Sequence, residues 1–147
     1  MAALIDSSRI AVNVEAADFG EAIAKGGELL VRSGSVHREY INDMIAHTKQ
    51  YPSDVVVTPQ VALAHASSGV NVSEVCMSLV VLKHAVPFGY AKFDPVRLVV
   101  CLGTVDKESH EKAIGDLLKI LENKCLLENI LNADSVKNIL LTINGIW

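Results

Sequence analysis

The hydrophobic period of this chain changes from helical to strand-like and back to helical, and this change limits its fold more than any other feature. Apolar residues recur at helical spacing between Asp18 and Pro52 and again after Asp106. The segment between them contains short runs rich in β-branched residues, which predict buried strands: Asp54–Thr58, Val61–His65, Val75–Lys83 and Val96–Leu102. A sheet of buried strands needs cover on both faces. The order of elements therefore predicts an α/β fold in which helices lie on both faces of a central sheet.

Capping residues set the limits of the predicted helices. Asp18 is followed three residues later by Glu, as in a capping box, and this helix runs to about Arg32 before Gly34 stops it. Ser35 is predicted to cap a second helix, which ends at Pro52. The remaining predicted elements are a first strand and three C-terminal helices: Arg9–Val14, the helix after Asp106, Cys125–Leu131 and the helix after Asp134.

Composition excludes several classes of protein. Half of the 147 residues are apolar and 20% are charged, which is typical of one folded domain over residues 1–147, and no apolar run is long enough to cross a bilayer. The 13 basic and 17 acidic residues give a net charge of −4 without a basic stripe, so nucleic acid is not expected as a partner. The sequence at Met1–Asp6 lacks an export signal, which predicts a cytoplasmic protein. The three cysteines are expected to be buried, reduced thiols: Cys76, Cys101 and Cys125.

Five histidines are the candidates for chemistry near neutral pH, because a neutral imidazole offers a nucleophilic lone pair. His65 ends a predicted strand among small residues, so its ring can be open to a partner on a rigid backbone; a buried core histidine is the alternative. His110 lies on the apolar stripe near the start of its helix, where it either packs in the core or donates a hydrogen bond to phosphate. His37 and His47 are predicted on the polar side of a helix, and His84 at the start of a loop.

Other catalytic motifs are missing from the sequence. No strand is followed by a glycine-rich phosphate loop with Lys and Ser or Thr, so a nucleotide-dependent kinase is not supported. The His and Cys residues do not recur at metal-ligand spacing, and no Gly-x-Ser-x-Gly element is present. We therefore predict no metal, no cofactor and no hydrolase chemistry.

Four short motifs resemble one family in the correct order along nearly the whole chain. Thr58–Ala66 resembles the segment Ala-Pro-Gly-x-Ala-x-Pro-His-Ala around the phosphorylated histidine of enzyme IIA domains of the mannitol/fructose class in the bacterial sugar phosphotransferase system. The start of the second helix, the entry to a core strand and a later helix start resemble the same family: Gly34–Val36 with Tyr40 and Ile41, Phe93–Val96, and Val105–Asp106 with Ser109 and His110. The last two motifs are most similar to the ascorbate-type branch.

The resemblance implies a mixed sheet of about five strands and a phosphoryl relay without a bound cofactor. In that relay His65 accepts the phosphoryl group from the phosphocarrier protein HPr and passes it to a cysteine of a IIB partner, for a sugar that enters through a IIC membrane component. His110 is carried over as the second active-site group, and its helix start suits a phosphate neighbour. Because two partners must reach one nitrogen, we expect His65 in a shallow depression ringed by small or apolar residues, and Ala62, Ala64 and Ala66 fit that need.

This chain also departs from the family pattern. Gln60 replaces the usual Gly, Ala64 replaces the Pro before the histidine, and Ser67–Ser68 stand where Arg-Pro is common. The arginine late in the second helix has no counterpart, which leaves His47 or Lys49 as substitutes. The departures motivate an alternative function, a IIA-like regulatory binding protein that senses phosphorylation or has lost it. The apolar segment Ile139 to Trp147 offers a patch for a homo-oligomer.

Overall fold

In the part of the chain that the structure describes, five strands form one mixed central sheet. The structure is a computed structural model that describes residues 5–144. The strands are β1 (Ile10–Val14), β2 (Val56–Thr58), β3 (Val61–Ala64), β4 (Cys76–Val86) and β5 (Val96–Gly103). Their order across the sheet is β1-β4-β5-β3-β2, in which β1 and β4, and β3 and β5, run parallel, and the other neighbours run antiparallel. The predicted mixed sheet of about five strands is confirmed.

Within residues 5–144, six α-helices form two layers, one on each face of this sheet. They are α1 (Phe19–Arg32), α2 (Glu39–Gln50), α3 (Pro52–Val55), α4 (Lys107–Leu121), α5 (Lys124–Leu131) and α6 (Val136–Asn144). Alternate residues of β4 point into separate apolar clusters, with Val80 on the side of α1 and α2 and Leu79 on the side of α4 to α6. The prediction that helices cover both faces is confirmed.

Two glycines allow α1 to approach its neighbours closely. A Cβ atom built at Gly26 would lie 2.6 Å from Cys101 Sγ on β5, and one built at Gly27 would lie 2.5 Å from Ile41 Cγ1 on α2. Both distances are shorter than a van der Waals contact. The absence of a side chain at these positions therefore sets how tightly this helix layer packs.

Ser35 does not cap the second helix. Its side chain is buried, donates to Glu74 Oε1 at 2.7 Å and accepts from Arg9 Nη2 at 2.8 Å. The helix begins at Glu39 after Arg38, which makes no side-chain capping bond, so the exposed His37 precedes the helix. The prediction was wrong because a long-range polar network holds the serine hydroxyl.

Two of the predicted strands have different limits in the structure. Residues Pro52–Val55 form one helical turn, so Asp54 lies outside the strand in which it was predicted. Strand β4 continues to Val86, which places the exposed His84 within the strand and not at the start of a loop. In the segment Pro52–Val55, a Pro at the first helical position and an Asp in the first turn favour a helix over a strand.

Cys125 differs from the expectation for it, and the C-terminal segment is partly buried. Cys76 and Cys101 are buried as predicted, whereas Cys125 is exposed at the start of α5, whose leucines face the sheet. In α6, Ile139 and Ile143 are buried whereas Leu141 is 62% exposed, and the homo-oligomer through this segment stays a prediction.

The two termini lie outside the part of the chain that the structure describes. Residues 1–4 carry most of the region in which no export signal was expected, and residues 145–147 end the predicted patch. Between them, over residues 5–144, the helices are too short or too polar to cross a membrane.

Candidate active site

His65 directly follows β3 and borders an open depression at the surface. Its residue is 8% exposed, and the depression has a volume of about 470 Å³. The described residues that line it come from α3, β2, β3, the β4–β5 loop and α4: Ser53, Asp54, Val56, Val57, Leu63, His65, Tyr90, Phe93, His110, Ile114 and Leu118. None of these lining residues is a lysine or an arginine. The expected depression is present, and the imidazole of His65 forms part of its wall.

The alanines do not surround this depression. Ala62 and Ala64 are fully buried on the opposite face of β3, in the cluster with α1 and α2, and Ala66 packs against that cluster. Strand alternation explains the difference, because Leu63 and His65 point to one side and the residues between them to the other. The apolar part of the wall is instead made of larger aliphatic and aromatic residues, beside the polar Ser53, Asp54 and His110.

A backbone hydrogen bond fixes the tautomer of His65. Nδ1 of His65 lies 2.8 Å from the carbonyl oxygen of Leu63. A carbonyl oxygen can only accept, so Nδ1 carries the hydrogen and donates it. In the neutral ring, Nε2 of His65 therefore holds the free lone pair.

His110 lies beside His65, as the resemblance implied. The two ring centroids are 5.1 Å apart, and His110 sits in the first turn of α4, which Asp106 caps by accepting from the Ser109 N–H at 2.7 Å. Burial, with a smaller contribution from the neighbouring His65, lowers the pKa of His110 below its ordinary value. The ring therefore favours the neutral form.

Two hydroxyl groups, those of Ser68 and Thr104, form a hydrogen-bonded chain that ends at Nδ1 of His110. Thr104 Oγ1 lies 3.1 Å from His110 Nδ1, and Ser68 Oγ lies 2.9 Å from Thr104 Oγ1. A threonine hydroxyl that donates to Nδ1 keeps the His110 hydrogen on Nε2. The arrangement can thus present an N–H donor next to His65.

A third imidazole, that of His47, completes the site. Its ring centroid lies 5.0 Å from that of His65, and its Nε2 lies 2.7 Å from Asp54 Oδ2. The prediction of a solvated surface role for His47 was wrong, because α2 turns this face toward the end of β3. Lys49, the other suggested substitute for the family arginine, is exposed and does not line the depression.

Asp54 links His47 to His65. The same Oδ2 atom that accepts from His47 lies 3.3 Å from His65 Nε2, and the hydrogen bond from His47 lowers the pKa of Asp54 below its ordinary value. Sequence reasoning missed this carboxylate because it was assigned to a strand. The segment Pro52-Ser53-Asp54, with Pro and Asp at the positions that helix starts favour, was a signal that could have found the turn.

The β4–β5 loop is held in place by Asp94, part of one of the motifs identified in the sequence. Its carboxylate accepts three backbone hydrogen bonds, from Phe88, Gly89 and Tyr90, at 2.8 to 2.9 Å. This arrangement fixes the aromatic residues Tyr90 and Phe93 in the wall of the depression. The Asp94 motif therefore contributes to the site by fixing the position of two residues of its wall.

Comparison with protein families gives one match that covers nearly the whole chain. Residues 3–145 match the family model described as "Phosphoenolpyruvate-dependent sugar phosphotransferase system, EIIA 2". A curated relative, the ascorbate-specific PTS system EIIA component of Salmonella choleraesuis (strain SC-B67), is 25% identical over 128 residues, which are 86% of this chain and 83% of the relative.

Solved structures agree with this match. The mannitol-specific cryptic phosphotransferase enzyme IIA CmtB from Escherichia coli superposes with a TM-score of 0.85 at 28% identity, covering 97% of this chain and 95% of that one. The complex of mannitol enzyme IIA and phosphorylated enzyme IIB from Escherichia coli gives a TM-score of 0.81 at 25% identity, covering 96% and 97%.

Proposed function

Because the chain belongs to the EIIA type 2 family of the phosphoenolpyruvate-dependent sugar phosphotransferase system, whose members are phosphotransferases of a phosphorelay, we propose that His65 is its phosphoryl acceptor and donor. The observation that carries the proposal is the bond from His65 Nδ1 to the Leu63 carbonyl oxygen. It leaves the lone pair on Nε2, the ring nitrogen next to Asp54 at the edge of the depression.

In the first half of the relay, phosphorylated HPr presents its phosphorus atom to His65. The Nε2 lone pair forms the new N–P bond while the N–P bond to the HPr histidine breaks, and that electron pair stays on the departing imidazole. The Nδ1–H donor to Leu63 stabilises the positive charge that develops on the His65 ring. No metal or cofactor enters this step.

His110 stabilises the transferred group. An N–H donor aimed at the equatorial oxygens of the phosphoryl group strengthens as negative charge develops on them. With the Thr104 hydroxyl donating to His110 Nδ1, the His110 hydrogen lies on Nε2, where this role needs it. The lowered pKa of His110 favours the neutral ring, so His110 acts as a neutral hydrogen-bond donor and not as a second cation in the site.

Asp54 favours onward transfer of the phosphoryl group. Its Oδ2 lies 3.3 Å from the acceptor nitrogen, so a phosphoryl group on Nε2 is brought close to a second anion. Repulsion between the two raises the free energy of the phosphorylated form. The Nε2–H of His47, 2.7 Å from Asp54, limits this repulsion and takes the place of the absent family arginine.

In the second half of the relay, a IIB partner removes the group. Its cysteine thiolate attacks phosphorus, the P–S bond forms, and the electron pair of the broken N–P bond returns to His65 Nε2. The solved complex of mannitol enzyme IIA with phosphorylated enzyme IIB from Escherichia coli supports a IIB partner here. A IIC membrane component would then take up the sugar, and the relay would operate in the cytoplasm with HPr.

The test is phosphorylation of the purified protein by phosphoenolpyruvate, enzyme I and HPr. We expect one acid-labile phosphate per chain in the wild type and in His84→Ala, a control that removes an exposed histidine of β4. His65→Ala should carry none. Addition of a cognate IIB protein should remove the label from the wild type.

Labelling of His65→Ala to the level of the wild type would refute His65 as the acceptor. A folded wild type that stays unlabelled while HPr is phosphorylated would refute the relay itself. Circular dichroism of each variant separates loss of the fold from loss of the acceptor.

A further inference from the structure

Three potential metal ligands from three separate elements meet at the edge of the depression. His47 belongs to α2, Asp54 to α3 and His65 follows β3, and one ligand atom of each lies within 4.8 Å of the others. We propose that these residues form a binding site for a divalent transition-metal ion, of which Zn²⁺ fits best. The sequence predicts no metal here, because ligands at these spacings match no known motif.

The donor set agrees with zinc chemistry. Two imidazoles and one carboxylate are ligands that Zn²⁺ binds, at about 2.0–2.2 Å, and three protein ligands with one open position are typical of an accessible zinc site. Tetrahedral geometry with such bonds requires ligand atoms roughly 3.3 Å apart. The observed separations from Asp54 Oδ2 are 2.7 Å to His47 Nε2 and 3.3 Å to His65 Nε2, and all three ligand atoms lie within 4.8 Å of one another. Rotation of the half-buried His47 and the exposed Asp54 side chains would bring them to the tetrahedral spacing.

The surroundings of His65 are also those of a metal ligand. Metal-bound histidines usually donate their other ring N–H to a carbonyl or carboxylate, which orients the ring. Nδ1 of His65 makes such a bond to the Leu63 carbonyl oxygen. The lone pair of Nε2 is therefore available without any change of tautomer.

Only His47 must change its protonation pattern. Its Nε2–H now donates to Asp54, so ligation through Nε2 moves that hydrogen to Nδ1 by exchange with solvent. The carboxylate of Asp54, which accepts the hydrogen bond from His47, is the anionic ligand of the set. Solvent reaches both side chains, because that of His47 is 28% exposed and that of Asp54 is 59% exposed.

Metal binding and phosphorylation exclude each other at His65. Both use the single lone pair of Nε2, so a bound ion blocks the acceptor until the ion leaves. This regulatory consequence, unlike the binding itself, rests on the proposed function. The site would make phosphoryl transfer sensitive to the availability of free zinc.

The binding test is calorimetric titration of the chelator-treated protein with Zn²⁺, in a Cys125→Ser background that removes the exposed thiol. We expect one saturable site per chain. His47→Gln and Asp54→Asn should each weaken it by at least about tenfold, and His84→Gln should leave it unchanged. Co²⁺ should give the intense visible bands of a tetrahedral site, and these bands should vanish in His65→Ala.

Absence of saturable Zn²⁺ binding to the wild type would overturn the proposal, as would equal affinity in His47→Gln and Asp54→Asn. Circular dichroism shows whether each variant is folded, so a lost site is not confused with a lost fold.

The regulatory test uses purified phosphorylated HPr as donor, so that no other metal-dependent enzyme is present. Saturating Zn²⁺ should suppress transfer to the wild type, and His47→Gln should relieve the suppression. Equal transfer with and without Zn²⁺ would overturn the regulatory role. If the metal-free chain accepts no phosphate while calorimetry shows the site, the proposed function fails and the metal site stands.

Discussion

The two helix layers contact the sheet in different ways, yet each places one imidazole next to the ring of His65. Helix α1 presents Gly26 to the sheet and approaches it closely, whereas α4 presents a stripe of larger side chains such as Leu117. The layer of α1 and α2 provides His47 bonded to a carboxylate, and the layer of α4 to α6 provides His110 bonded to a hydroxyl. The site therefore depends on both layers, with chemically different partners on its two sides.

The largest expected effect separates these two imidazoles. His110→Ala should slow phosphoryl transfer to His65 by about 10²–10³-fold, because it removes a donor aimed at the developing charge. His47→Ala should slow it by only about tenfold, because its N–H is already committed to Asp54. Rapid-quench measurement of transfer from phosphorylated HPr gives both rates.

A conservative variant controls for the loss of packing at this position. His110→Gln keeps an amide N–H donor in the first turn of α4 and should recover part of the lost rate. Equal losses in His110→Ala and His47→Ala would contradict the division of roles between the two layers.

The sequence predicted the helix limits better in the layer of α4 to α6 than in the layer of α1 and α2. Regular apolar periodicity indicates a helix that packs large side chains against a sheet. The stripe from His110 to Leu121 predicted α4 and the position of His110 near its start, and the structure has both there. On the other side, Ser35 looks like a cap but takes part in a network with a residue far along the chain. Such contacts depend on tertiary structure and leave no local periodic signal.

The same reason explains which parts of the site could be found. His65 was found from a local motif and His110 from its position at a helix start. His47 and Asp54 meet His65 only because α2 is followed by the short helix α3, which leads directly into β2. A polar residue on an amphipathic helix is indistinguishable in sequence from a solvated one, so the role of His47 required the fold.

A pair of glycine substitutions tests the difference in packing between the layers. Gly26→Ala places a methyl group 2.6 Å from Cys101 Sγ, so we expect a net destabilisation of about 1–2 kcal/mol after the gain in helix propensity. Gly115→Ala, on the outer side of α4 with nothing within 4 Å, should instead stabilise by about 0.4–1 kcal/mol. Urea denaturation measures both free energies of unfolding.

The pair is internally controlled, because both substitutions add one methyl group inside a helix. A stabilising Gly26→Ala would show that α1 can move away from β5 without cost. In that case the close approach of this layer would not be what holds α2 and His47 in position.

The smallest effect concerns the charge state of His110. Burial lowers the pKa of this histidine in the folded protein, so protons bind it more readily in the unfolded chain. The resulting loss of stability is absent above the unfolded pKa and grows as the pH falls below it. In His110→Gln, the melting temperature should therefore fall less between about pH 7 and about pH 5 than in the wild type. An NMR titration in which the His110 ring protonates at or above the midpoint of a histidine in a model peptide would contradict this prediction.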